Sequence, residues 1–448
     1  MNYNKEHSYY NYHYWIEDGC NIDENITHVD INCSEIKELS ETIDNLINLQ
    51  ELYCSDNQLI KLPETFSNLI NLQILDIYDN KLTELPKTFG NLVNLHKFIC
   101  DKNQLIELPE TFGNLINLHT LNCSNNKLIK LPKTIGDLIN LQEFCCCENN
   151  LTKLSKNIGK LINLFDLRIQ FNQLIKLPET IGNLINLQHL NCSGNKLIKL
   201  PETIGNLINL QYLICSNNNI TELPETLNAL INLQALYCDH NELTKLPKTF
   251  CNLINLRYFN CSNNQITKLL DILDNLINLR HLQCSNNKLI KLPKILFNLI
   301  NLTCLDCSDN KLIELPEIID NLINLNALYC TNNKLKKLPT SLIKLKKLCM
   351  LEYDKTIKLS LILQRYINKI NYNDVHNNSI QTSLLDSINN LLLETSETIE
   401  TKYNIIYDNI LDSKTKSIIY NYLNDKTIGD LLITFEELLV YILKKIDN

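Results

Sequence analysis

Apolar residues return along this chain at fixed places within a long period. In LQELYCSDNQLIKLPETFSNLIN, residues 49–71, positions 1, 4, 6, 11, 14, 18 and 21 are apolar and predicted to point inward. The pattern restarts every 23 residues without a gap from Leu49 to Lys347, giving thirteen full units. A degenerate unit over 26–48 precedes them, with Ser34 in the place of the usual Asn, and 348–352 opens one more strand. Positions 3 to 5 predict a short strand whose outer residues, 3 and 5, share one pleat. One unit cannot bury its apolar side alone, so stacked units share a continuous core and need capped ends.

Two further columns, one of asparagine and one of proline, reinforce the period. Asn occupies position 9 in all thirteen units, from Asn57 to Asn333, where its amide can satisfy backbone groups left unpaired as the strand turns away. All eleven prolines sit at position 15, where Ser155 and Leu270 fill the other two units. Proline there removes a donor and fixes an extended turn.

This pattern resembles the leucine-rich repeat family, LxxLxLxxNxLxxLPxxIxxLxxL, over about 325 of 448 residues. The LPETIGNLINL half is similar to the intracellular, Ras-associated-like class. The resemblance implies an α/β repeat fold: a curved solenoid with a parallel β-sheet on its concave side and an irregular or 3-10 convex side. The Asn, Ile and Lys bias resembles coding from AT-rich genomes such as those of amoebal giant viruses and slime moulds.

Cysteine fills position 6 in eleven of thirteen units, and Ile77 and Ile169 take the other two. A metal or redox ladder would not accept isoleucine, so the column reads as core. Cys145, Cys147 and Cys304 are expected on the concave surface, without CxxC or Cys–His spacing for a metal. His96 and His119 share position 2 of adjacent units, a weak metal candidate with no third ligand. No phosphate loop, GxSxG, HExxH or dinucleotide fingerprint occurs, and no cofactor is expected. Some leucine-rich repeat effectors carry a C-terminal ubiquitin ligase with a catalytic cysteine, but the last cysteine here is Cys349. The reading is therefore not an enzyme.

The net charge is −8. On the expected concave positions 2, 3, 5, 7 and 8, eleven acidic side chains face five basic ones, a net of −6. Such a face repels phosphate backbones and steers a protein with a basic patch. Neither nucleic acid nor membrane is an expected partner: no apolar run reaches the roughly 18 residues that span a bilayer. The N-terminus lacks the apolar stretch of a secretory signal, so the expected compartment is the cytoplasm.

Aromatics interleave with these charges. The candidate contact residues are Tyr53, Tyr78, Phe165, Arg168, Phe171, Tyr212, Tyr237, Asp239, Arg257, Tyr258 and Tyr329. Tyr212, Tyr237 and Tyr258 lie in three consecutive units and are expected to form one patch. Exposed aromatics are what interface anchors look like; the alternative is tolerated surface rings. Lysines crowd the last unit at Lys334, Lys336, Lys337, Lys344, Lys346 and Lys347, reading as a solvated edge.

The domain expectation is 1–25 as a cap, 26–354 as the solenoid and 355–448 as a small helical domain. Tyr14, Trp15 and Ile16 are expected to fold over the first unit. Two functions follow: a protein-interaction scaffold using the concave face, or a substrate-recognition adaptor in ubiquitin or signalling machinery whose helical tail recruits an enzyme.

Overall fold

The computed structural model describes residue 13 and residues 15–17, 19–269 and 273–367. Fifteen three-residue strands, β1 His28–Asp30 to β15 Met350–Glu352, pair in chain order into one parallel sheet. Each pair is shifted by one repeat, as in Glu51↔Ile74, Leu52↔Leu75 and Tyr53↔Asp76. Equal positions of successive repeats therefore stand side by side. Between strands the chain returns through 3-10 turns such as Glu64–Asn68 and Glu179–Asn183. This is the expected solenoid, with 3-10 turns on the side away from the sheet.

Alternation along each strand sets what is buried. The middle residue is buried and its neighbours are half-exposed or exposed, as at Glu51–Tyr53 and Tyr212–Ile214, except that Asp166, Ala235 and Ala327 are also buried at the first strand position. The leucines at positions 1, 4, 11 and 21 are almost fully buried, as at Leu187, Leu190, Leu197 and Leu207. Phe89, Phe98 and Phe112 add a local cluster, with ring centroids 4.9 to 6.0 Å apart. Each such side chain contributes about 1.5–3 kcal/mol of transfer free energy.

The position-9 asparagines carry the polar frame. Asn218 Nδ2 donates to the carbonyls of Cys192, Cys215 and Ser216 at 3.1 to 3.2 Å, and its Oδ1 accepts from Leu197 N at 2.9 Å. The same contacts recur from Asn57 to Asn333. A second asparagine column was not expected. Position 23 donates to the position-22 carbonyl of the preceding repeat, as Asn209 does to Ile185 O at 2.9 Å and Asn324 to Ile300 O at 2.9 Å. Its sequence signal was visible in the recurring NLIN.

Position 8 holds the left-handed conformation in every full repeat, from Asp56 (φ 53°) to Asn332 (φ 55°). Asn, Asp and Gly predominate there because they tolerate positive φ. At position 19, Gly182 permits close stacking: a Cβ would stand 2.4 Å from Thr203 O in the next repeat. Proline at position 15 precedes the 3-10 turn, and its carbonyl accepts from position 18, as Phe66 N to Pro63 O at 3.0 Å. At Ser155, which stands in place of proline, the carbonyl still accepts from Ile158 N at 3.1 Å and the side chain accepts from Asn157 N as well.

At the N-terminal end Trp15 is buried and donates to Asn21 O at 2.7 Å, while Ile16 is exposed. Asn45 Nδ2 donates to Cys20 O, tying this segment to the first, degenerate repeat. At the other end Asp354 accepts from Asn332 N at 2.7 Å and Asn333 N at 3.2 Å, so a carboxylate closes the frame. The chain divides into two units, 1–360 and 361–448. Residues 361–367 are helical. The rest of the expected helical domain, and the recruiting role attached to it, lie outside the described residues. Among the described residues no helix is long and apolar enough to cross a membrane.

Replacing Asn218 by Leu strands the buried Leu197 N–H and takes one of two donors from the carbonyls of Cys192, Cys215 and Ser216, which keep Asn195, Asn241 and Gly194. We expect a loss of about 1–3 kcal/mol, read as lower urea resistance and faster amide exchange around repeats 7 to 9. Unchanged exchange there would contradict the frame.

Candidate functional site

Three strands centre the concave face: β9 Tyr212–Ile214, β10 Ala235–Tyr237 and β11 Tyr258–Asn260. Ala235 pairs with Tyr212 on one side and Tyr258 on the other. Tyr237 stands two residues further along the middle strand, on the same pleat. Ala235 itself is 1% exposed, so the tyrosines that flank it are exposed while the alanine between them is covered. The Tyr237 hydroxyl is pushed above its ordinary pKa, by burial first and then by Tyr258 and Tyr212.

Two histidines extend this row. His189 meets Tyr212 edge-on at 4.7 Å, and His281 stacks on Tyr258 at 5.0 Å. The order at position 3 across five strands is thus His189, Tyr212, Ala235, Tyr258, His281. Sequence reasoning missed both histidines because it counted phenol and phenyl rings alone; their shared position 3 was the available signal. His281 is held below the usual histidine range by burial and by Arg280.

A second cluster adjoins through His189. In β7, Asp166–Arg168, the guanidinium of Arg168 grips Asp166 with Nη2–Oδ2 2.8 Å and Nε–Oδ1 3.1 Å. Asp166 is buried and His189 Nδ1 lies 3.7 Å from it. Phe171, in the same repeat, is 56% exposed and has φ 54°. A bulky ring with positive φ is strained. Its neighbour at position 8 of the next repeat is Gly194, whose Cβ, were it present, would sit 2.4 Å from the Phe171 ring. Glycine makes the space into which the phenylalanine lies.

The other expected residues are spread out. Tyr53 donates to Glu51 and packs 5.4 Å from His28; its hydroxyl is pushed up to about 12, by burial first and then by Glu51. Tyr78 lies beneath the ammonium of Lys102, 4.8 Å from its ring centroid. Tyr329 donates to Met350 Sδ at 3.5 Å. Phe165 and Arg257 stand at position 2, at the margin of the sheet, half-exposed and exposed. Arg257, Gln234, Gln211 and Gln188 line a 440 Å³ hollow there, and Arg280, His281, Thr303 and Lys347 line one of 680 Å³ further on.

Acidity on this face is less free than counting suggests. Asp166 is held by Arg168; Asp239 accepts from Ser216 and pairs with His240 Nδ1 at 2.9 Å; Asp76 accepts from Ser55 at 2.6 Å. Asp101 has one buried oxygen without a partner. Its carboxyl is raised to about 6, by burial above all.

All eleven position-6 cysteines are buried. Burial pushes Cys192 and Cys261 up to about 12. Cys145, Cys147 and Cys304 are half-buried rather than fully exposed, and burial raises all three, Cys145 to about 12. This corrects the expectation that they are the open thiols; Cys33 is the exposed one. His96 and His119 stack at 5.4 Å. Among the described residues no three His, Cys, Asp or Glu stand close enough to hold a metal ion.

The family comparison agrees with this architecture. The leucine-rich repeat region matches residues 66–178 and 177–250, and single leucine-rich repeats match 48–69 and 301–322. A leucine-rich repeat protein of Leptospira interrogans is 34% identical, covering 78% of this chain and 94% of that one, with a TM-score of 0.69. The chain belongs to the leucine-rich repeat proteins. The functional domain of InlJ from Listeria monocytogenes, which includes a cysteine ladder, is 27% identical over 75% of this chain and 68% of that one, TM-score 0.64. The ectodomain of the Arabidopsis thaliana receptor kinase GASSHO1/SCHENGEN3, in complex with CASPARIAN STRIP INTEGRITY FACTOR 2, is 28% identical over 72% of this chain and 43% of that one, TM-score 0.59. No curated protein matches the sequence. These relatives come from bacteria and a plant and do not bear on the source suggested by composition.

Two predictions follow from the titrating groups. A raised carboxyl stabilises the fold while protonated, and that stabilisation is lost as pH climbs through about 6. Asp101→Asn should therefore melt above the parent near pH 8 and within about one degree of it near pH 4; equal melting at both would refute the burial cause. Near neutral pH a mild thiol reagent should modify Cys33 first, Cys145 and Cys304 slowly, and the position-6 set only as repeats open. Fast loss of Cys238 in folded protein would contradict its burial.

Proposed function

We propose that this is a non-enzymatic scaffold that binds a protein partner across its concave sheet. The row from His189 to His281 carries the proposal. Four of five adjacent strands present an imidazole or phenol ring at one position, two on each side of Ala235, with Tyr212 and Tyr258 exposed. Rings on a rigid sheet lose little conformational freedom on binding, which favours them as anchors. Arg168, fixed by Asp166, adds a directed donor beside them, and Phe171 adds an apolar edge.

The concave face as a whole has a net charge of −6, concentrated in the repeats before and after this row, and this favours a partner with a basic patch, steering encounter more than setting affinity. The Arabidopsis receptor bound to its peptide factor is a leucine-rich repeat domain with a protein ligand, which supports this class of function. Leucine-rich repeat domains typically serve as binding scaffolds, which supports this reading.

The test is the triple variant Tyr212→Ala, Tyr237→Ala, Tyr258→Ala. A partner captured by the full chain from its native host should bind this variant at least tenfold more weakly, since central aromatic anchors cost about 2 kcal/mol or more each. Melting should fall by only a few degrees, roughly the cost of uncovering Ala235. Undiminished binding would move the site off the central row.

A further inference from the structure

The concave acidity hides an opposite field on the flank where each repeat leaves the sheet. Positions 10 and 13 of the thirteen repeats carry fifteen lysines, five glutamates and no arginine. These columns stack in register. Lys127 N donates to Leu105 O and Lys196 N to Leu174 O, both at 2.9 Å, so each repeat lays its flank against the previous one. A hollow of 650 Å³ lined by Thr221, Glu222, Glu242, Thr244, Lys245 and Gln265 shows these columns forming one surface.

The densest part spans the fourth to seventh repeats. Lys127, Lys130, Lys153, Lys176, Lys196 and Lys199 are all exposed there, and these columns hold no carboxylate until Glu107 on one side and Glu222 on the other. Lys130 pairs with Glu107 at 3.2 Å. Among the described ion pairs none engages Lys153, Lys176, Lys196 or Lys199. Between the two lysine columns, position 12 presents Ile129, Ile175 and Ile198, 50 to 59% exposed.

We propose that this flank is a peripheral docking surface for an anionic phospholipid membrane. Ammonium groups meet lipid phosphates, and the isoleucine side chains enter the boundary between headgroups and acyl chains. Lysine is a compact point charge suited to a fluid array of phosphates. A nucleic-acid surface would instead call for arginine forks and stacking aromatics, and these columns contain neither. An acidic protein is the competing occupant, but the hollow on this flank lies beyond the lysine-rich repeats and is lined by Glu222 and Glu242, and in three of the four lysine-rich repeats an exposed isoleucine stands between the charged columns. The contact leaves the concave face turned to a different partner, because the flank and the sheet are separate surfaces of each repeat.

The experiment is co-sedimentation of the full chain with vesicles of phosphatidylcholine alone or mixed with phosphatidylserine, at low and high salt. The parent should bind the phosphatidylserine vesicles, more weakly at high salt, and leave the neutral ones. K130E/K153E/K176E/K199E should lower partitioning by at least about tenfold. K87E/K156E/K248E/K294E, the same charge change at exposed position-16 sites, should lower it far less. I129S/I175S/I198S should weaken binding while keeping its salt dependence. No binding by the parent, equal loss in both lysine variants, or capture of duplex DNA or polyglutamate in place of vesicles would overturn the proposal.

Discussion

Everything in this molecule hangs on one constraint: equal positions of neighbouring repeats must lie in register at the spacing of a parallel sheet. The amide of Asn at position 9 enforces it. It bonds backward to one repeat's strand end, forward to its own, and accepts the N–H of position 11 of the repeat before. The second column at position 23 repeats this on the other side of the turn. Because a buried amide left unpaired is costly, any shift of register by less than a whole repeat breaks two columns at once. Stacked leucines fill the space that the amides define.

That constraint also decides where function is free to vary. Columns that face the core are nearly uniform, whereas positions 2, 3, 5, 7 and 8 differ from repeat to repeat. Register turns this variation into surfaces. Tyr212 and Tyr258 become neighbours across Ala235 although 46 residues separate them in sequence. Lys153 and Lys176 likewise become neighbours on the flank. Phe171 tolerates a strained backbone because Gly194 stands one repeat further on.

Most of the fold was legible because a perfect period converts position into geometry. The strand positions, the inward cysteines and the asparagine frame needed only alternation and stacking. Degree of burial was not legible. Cys145 and Cys304 stand on the outer pleat yet are half-covered by neighbouring side chains, which no single-repeat argument weighs. Asp166 counted as surface charge until Arg168 was seen closing over it. The net charge misled in another way, since averaging over the chain cancelled an acidic face against a basic flank. The two histidines of the aromatic row were overlooked for want of comparing them with tyrosine at the same position.

The likeness of all repeats has a cost in folding. Any unit presents nearly the same edge to any other, so a growing stack can accept the wrong neighbour and leave 23 residues looped out without losing a single asparagine contact in the repeats that do stack. What disfavours such a slip is the irregularity of the series. The Phe89, Phe98 and Phe112 cluster, the isoleucines at 77 and 169, and the fitted pair of Phe171 and Gly194 each match in one alignment only. Departures from the consensus thus act as the page numbers of the stack, telling identical leaves apart.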